Sequence, residues 1–235
     1  LEESTPDRVG GEEALAAASG HPALHARLLR SQARLLIAQG EDAQGLEQMR
    51  DAVRNAIFAM DPALLNELYI DLGKMLIDRA RYDEAAQELD EGVAMVTGGD
   101  GPMADSVPPT FWRLLTHLAE SQLARNDPEP AHAAASGALF QAQRADTLIG
   151  QARSHFLLAR VLEERGQPGV AEEHHQAAVA AFRRLGDRRS TAECLIDQAA
   201  HRPERRTDLA REALALAEQV NWPQGADRAR TLSGD

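Results

Sequence analysis

Small residues recur at fixed intervals along this chain, with larger apolar residues about one helical turn to either side. Four stretches superimpose when their apolar and polar positions are aligned: SQARLLIAQGED, YIDLGKMLIDRARYDEA, LLTHLAESQLARNDPEPA and FLLARVLEERGQPGVA. The small residue in the middle of each, with one further copy downstream, falls at Ala33, Gly73, Ala119, Ala159 and Ala199, separated by 40, 46, 40 and 40 residues. Twelve residues after the first four stand Gly45, Ala85, Ala131 and Ala171, and seven after those stand Ala52, Gly92, Ala138 and Ala178. Leu29 and Leu36, then Tyr69, Leu72 and Leu76, Leu115 and Leu118, and Leu158 and Leu162 surround the anchors at helical spacing. Two helices come close only where neither presents a bulky side chain. Three small positions per unit therefore predict about five pairs of antiparallel helices, each pair packed at the same places.

Small residues at the eighth, twentieth and twenty-seventh positions, with larger apolar ones at the fourth, seventh and eleventh, resemble tetratricopeptide repeats. The period of 40 rather than 34 is similar to the longer variant of bacterial regulators, in which a segment such as FRRLGDRRSTAECL (Phe182 to Leu195) joins one repeat to the next. The resemblance covers about Leu24 to Val220 and implies an all-α fold, a right-handed α-solenoid of antiparallel helix pairs. One elongated repeat domain is expected. Residues 24–97 form repeats one and two, 98–109 an inserted loop (GGDGPMADSVPP), 110–220 repeats three to five, and 221–235 a C-terminal capping helix or tail. Residues 1–23 hold a partial repeat or an N-terminal cap. EEALAAASGHPAL aligns with DAVRNAIFAMDPAL, so Glu12 to Gly20 reads as a second helix without its first, as if the chain began inside a longer array. Departures from the pattern include Gln32 and Gln198 at apolar seventh positions, His155 and His175 in apolar slots, and Pro203, which should end its helix early.

Composition supports helix: alanine, leucine, glutamine, glutamate and arginine dominate, and β-branched and aromatic residues are scarce. A net charge of −12 and a pI near 5.1 oppose nucleic acid and anionic lipid, so neither partner is expected. No window carries the roughly 20 apolar residues of a membrane span. The single Cys194 excludes an intrachain disulfide, reads as a buried small hydrophobe and fits the reducing cytoplasm. No HExxH, CxxC, GxSxG, GxGxxG or GxxxxGK[ST] string occurs. Glu172 and His175 have the Glu-x-x-His spacing of di-iron bundles, but the second copy such a site needs is absent. The acidic pairs Asp90 with Glu91 and Glu163 with Glu164 read as solvated helix faces, and Trp112 and Trp222 as aromatics packed at helix ends. Neither catalysis, nor a cofactor, nor a metal is expected.

The resemblance also implies a concave groove lined by the second, fifth and ninth residues of each first helix. Seven of these fifteen are basic: Arg27, Arg30, Arg34, Lys74 (the only lysine), Arg113, Arg153 and Arg160. With Phe156 they form the expected peptide-binding surface. An arginine fork suits carboxylates, so an acidic or C-terminal peptide, or a partner helix, is the expected ligand of a non-enzymatic scaffold. Two alternatives stand beside it: the sensor arm of a larger bacterial signalling protein, such as a kinase or transcriptional regulator, and a peptide or small-ligand receptor. Arg27, Arg30 and Arg34 can instead pair with Glu67 and Asp71 on the neighbouring helix. Homo-oligomers could form through the N-terminal half-repeat.

Overall fold

A computed structural model describes residues 18, 20–98 and 107–234. Among these, eleven α-helices and no strands occur: α1 Pro22–Ala38, α2 Asp42–Ala59, α3 Pro62–Ile77, α4 Tyr82–Thr97, α5 Phe111–Ala124, α6 Pro128–Arg144, α7 Leu148–Glu164, α8 Pro168–Leu185, α9 Arg188–His201, α10 Arg206–Gln219 and α11 Pro223–Ser233. Where the repeat pattern reads as one array, packing gathers the chain into two compact units, Leu1–His117 and Leu118–Asp235, with the division inside α5. No described helix is long and apolar enough to cross a membrane. The expected N-terminal half-repeat and most of the expected 98–109 insertion lie outside the described residues, apart from Ala18, Gly20, Gly98 and 107–109.

Proline sets where several helices begin. Its fixed φ and missing N–H suit the first helical position, where that N–H has no partner in any case. Pro22 and Pro62 open the first helices of two repeats, Pro128 and Pro168 open the second helices of two others, and Pro223 opens α11. Asp61 adds a side-chain cap, accepting from the backbone N–H groups of Ala63 and Leu64 at 3.1 and 3.0 Å. Within each of the first four pairs the turn passes through one left-handed residue: Gly40 (φ 83°), Ala80 (φ 56°), Asn126 (φ 62°) and Gly166 (φ 68°). The next N–H then reaches back five residues, as in Glu41 to Leu36, Arg81 to Leu76, Asp127 to Gln122 and Gln167 to Leu162, at 2.8–3.0 Å. The left-handed residue thus keeps the repeat's period. Three of the four are glycine or asparagine, which enter this region most easily; Ala80 is the exception.

The small positions lie where the helices meet. All thirteen are buried, from Ala33 and Gly45 to Ala178 and Ala199, and so are Ala210 and Ala217 in the fifth pair. In the first unit α1 packs on α2 and α3 on α4; in the second α6 packs on α7, α7 on α8, α9 on α10, and α11 on both α10 and α9. A Cβ on Gly73 would sit 2.5 Å from the buried Leu89 side chain, and one on Gly92 would sit 2.6 Å from Tyr69 Cγ. Tyr69 is itself fully buried, its hydroxyl directed to Glu91 at 3.3 Å. At the C-terminal end Phe182, Leu195, Ile196 and Leu209 form one core with Cys194, and burial raises the pKa of that thiol. Trp112 is buried at the start of α5, and Trp222 caps α11 with Arg189 stacked 5.1 Å from its ring centroid.

Two stability changes of opposite sign follow. Gly92→Ala should destabilise the protein by about 1–2 kcal/mol in urea unfolding even though alanine is the better helix former, because the Tyr69 ring root cannot withdraw. Ala80→Gly should stabilise it by about 0.5–1 kcal/mol by relieving a left-handed alanine. The reverse order would separate the turn and packing assignments from the repeat.

Candidate functional site

The predicted groove residues divide into engaged and free groups. In the first unit Arg30 donates from Nε to Asp71 at 2.6 Å and from Nη1 to Glu67, while Arg34 reaches the same Asp71 at 2.6 Å. Burial works against the charge of Arg30, but the hydrogen bonds and charges of Asp71 and Glu67 outweigh it and raise its pKa. These pairs tie α1 to α3. Lys74 is held by Asp78 one turn along α3, at 2.6 Å. Arg27 and Arg113 are exposed and make no ion pair among the described residues. In the second unit Arg153 is likewise exposed and unpaired among the described residues, whereas Arg160 lies 3.8 Å from Asp197 and 5.8 Å from the ring centroid of half-buried Phe156.

Position within the repeat explains the division. At the fifth position Ile70, Thr116 and Ile196 are buried, and Arg30 and Phe156 are partly so. That position belongs to packing rather than to an open face. Ninth-position cations Arg34, Lys74 and Arg160 all face carboxylates. Among the described residues, the second-position arginines Arg27, Arg113 and Arg153 are the groove cations that make no ion pair.

The second unit also holds a buried polar cluster where α7, α8 and α9 meet. Pro203 ends α9 two residues beyond its anchor Ala199, whereas α1, α5 and α7 run five beyond theirs. Arg202 leaves the helix there (φ −125°, ψ 81°) and its guanidinium turns inward, to Glu163 at 2.6 Å, Glu172 at 3.3 Å and the Pro168 carbonyl at 2.7 Å. Its close contact with Glu163 leads the causes that raise its pKa. Glu172 accepts from Gln198 at 2.8 and 2.9 Å and from Arg205 at 3.0 Å. Burial of Glu172 is outweighed by the hydrogen bonds of Gln198 and Gln176 and the charges of Arg202 and Arg205, so its pKa falls.

Glu163 therefore corrects the expectation of a solvated face. Its side chain is 7% exposed and lies against Arg202. The sequence carried a signal: Glu163 occupies the repeat position of Ile37, Ile77 and Leu123, and His175 that of Met49 and Leu89. Polar residues in apolar slots of neighbouring helices meet in one place. In the Glu-x-x-His spacing Glu172 is engaged by Gln198 and two arginines, and no group of three His, Cys, Asp or Glu that could hold a metal ion occurs among the described residues.

His175 is fully buried, with Nε2 3.5 Å from Asp197 Oδ2 and 4.0 Å from Glu163 Oε1. Neither ring nitrogen has a hydrogen-bond partner. Burial depresses its pKa, against the charges of Asp197 and Glu163. The neighbouring His174 points elsewhere, its Nδ1 2.8 Å from Nδ1 of His155. One of those two nitrogens must carry the proton and the other accept it, so at most one of the two rings can be cationic. Burial lowers both pKa values, and it does the same for His132.

A depressed imidazole makes the unfolded chain the better proton acceptor as pH falls through the ordinary value of 6.5, so folding stability is lost on acidification below it. Urea midpoints should accordingly fall between about pH 7.5 and about pH 5.5, a window above that of the carboxylates. Equal midpoints would contradict the buried neutral histidines.

Asp197 also lines an open pocket of about 250 Å³ in the second unit, with Asn126, Arg160, Glu164 and His201 among its walls. It has room for a side-chain-sized group.

No protein-family model matches the chain, and no curated protein matches it. Solved structures do. BtubC (BKLC) from P. vanneervenii is 17% identical with a TM-score of 0.65, over 98% of this chain and 92% of that one. A Podosopora anserina putative kinesin light chain with nearly identical TPR-like repeats is 17% identical with a TM-score of 0.56, over 77% of this chain and 90% of that one. At such low identity the likeness concerns the backbone alone, and it agrees with the period of small residues and the recurring turns: the chain has an all-α, tetratricopeptide-like repeat fold.

Proposed function

We propose that this protein is a non-enzymatic interaction scaffold that holds an acidic extended peptide, or an acidic partner helix, against the exposed faces of its first helices. The observation that carries this reading is the state of the second-position arginines. Arg27, Arg113 and Arg153 stand at one repeat position, are exposed, and make no ion pair among the described residues. An uncommitted guanidinium keeps its planar fork of donors for a carboxylate brought by a partner. Arg27 and Arg113 belong to the first unit and Arg153 to the second, so each unit offers its own contact.

Arg30, Arg34, Lys74 and Arg160 take a supporting role. Their charges are already opposed by carboxylates of the chain, and Arg30 with Arg34 keeps α1 and α3 in fixed spacing. A peptide carboxylate would have to displace those partners, whereas Arg27, Arg113 and Arg153 hold no carboxylate among the described residues. The buried cluster around His175 supports an organising role rather than a catalytic one, because Glu163 and Glu172 are met by Arg202 and Arg205.

Fluorescence anisotropy with a labelled glutamate-rich peptide and its serine-substituted analogue tests the reading. The acidic peptide should bind more tightly, and less so as salt is raised. Combining Arg27→Glu, Arg113→Glu and Arg153→Glu should weaken its binding about ten-fold or more, since exposed pairs contribute modestly and three are reversed together. Equal binding of the two peptides, or an unaltered triple variant, would count against an acidic ligand at these arginines.

A further inference from the structure

The repeat supplies its own comparison for the charges around Asp197. Asp71 and Asp197 occupy the same repeat position, two residues before the anchors Gly73 and Ala199. Asp71 is met by two guanidinium groups, those of Arg30 and Arg34, each at 2.6 Å. Asp197 is met by Arg160 alone of the two equivalents, and at 3.8 Å, because the position of Arg30 is taken by Phe156. Behind it stands His175, an imidazole kept neutral by burial, at 3.5 Å, and Asp197 Oδ2 has no hydrogen-bond partner. This carboxylate is under-neutralised from both sides.

Glu164 shows a similar deficit. Its counterpart Asp78 is held at 2.6 Å by Lys74, but Arg160, the counterpart of Lys74, turns to Asp197. Glu164 is left exposed with no ion pair among the described residues. Two carboxylates thus share one guanidinium, and that guanidinium is further committed to the Phe156 ring.

Both carboxylates line the 250 Å³ pocket. His201 lies beside them, its Nδ1 donating to the Asp197 carbonyl oxygen at 2.9 Å. Leu123 and Ala124 supply an apolar wall beside these groups. The pocket's two carboxylates thus have a single guanidinium between them.

We propose that this pocket binds a cationic head group, a guanidinium or alkylammonium, between Glu164 and Asp197, with the attached alkyl stem along Leu123 and Ala124. The ligand is opposite in charge to the one assigned to Arg27, Arg113 and Arg153 and uses none of those residues, so either reading can fail without the other. Arginine suits the site best, since its planar donors can serve two carboxylates at once.

Amide chemical-shift titration of the full chain tests this with N-acetyl-arginine-N-methylamide, agmatine and N-acetyl-glutamate. Both cations should give saturable shifts at Asn126, Glu164, Asp197 and His201, and the acid none. Binding of the peptide-like probe but not agmatine would also support the site and would assign the cation to a polypeptide side chain. Glu164→Gln, an exposed change that leaves the fold intact, should weaken cation binding about five-fold. Arg160→Gln decides the sign: it releases Asp197 and should tighten cation binding, whereas an anion site would lose its ligand. Absence of saturable shifts with both cations, wild-type affinity in Glu164→Gln, or weaker cation binding in Arg160→Gln would overturn the proposal.

Discussion

Neighbouring helices here approach as closely as the side chains between them allow, and alanine and glycine at three positions per repeat set that distance. Where the residue is glycine, the partner fills even the space of a methyl group, as Leu89 does at Gly73 and Tyr69 at Gly92. Such close packing leaves little tolerance for a change of volume. It also fixes which residues of a first helix face a neighbour and which face water. The burial of Ile70, Thr116 and Ile196, and the exposure of Arg27, Arg113 and Arg153, are two results of one spacing.

The turns keep this spacing in phase. A left-handed residue followed by a five-residue return bond recurs in four successive pairs, so each second helix starts from the same point. The fifth pair departs from the rule. Pro203 ends α9 early, and Arg202 enters the interior instead of continuing a helical face. The resulting cluster is costly to divide, since removing Arg202 would leave Glu163 buried without its counter-charge. Local backbone chemistry at one proline thereby creates the most polar interior of the second unit.

Charge follows packing rather than composition. A chain with a net charge of −12 has acids to spare, and most groove cations find one on their own or a neighbouring helix. Substitution of Phe156 at the position of Arg30 then unbalances the second unit relative to the first, leaving Asp197 and Glu164 with one guanidinium between them. Among the described residues, cations without an ion pair and under-neutralised carboxylates thus occur on the same repeat scaffold, at different positions.

The small-residue period by itself determined the helix pairs, their all-α repeat fold and the buried place of all thirteen small positions, because close helix contact admits few residue types and periodicity records them directly. Prolines at helix starts and glycines or asparagine in three of the turns were legible for the same local reason. The site was legible only in part. Counting cations at groove positions put Arg30 and Arg153 in one set, although Arg30 takes the alternative of pairing with Asp71 and Glu67 and Arg153 makes no ion pair among the described residues. Reading Glu163 and Glu164 as one solvated pair missed that helical rotation sends the first inward to Arg202 and leaves the second in water. Glu163 and Arg202 lie 39 residues apart, and for Arg34 and Asp71, 37 apart, pairing was only one of two readings. Residue type alone does not tell which cation meets which acid across such distances; that was decided by the tertiary structure, through the placement of helices that bring those side chains within 3 Å of each other.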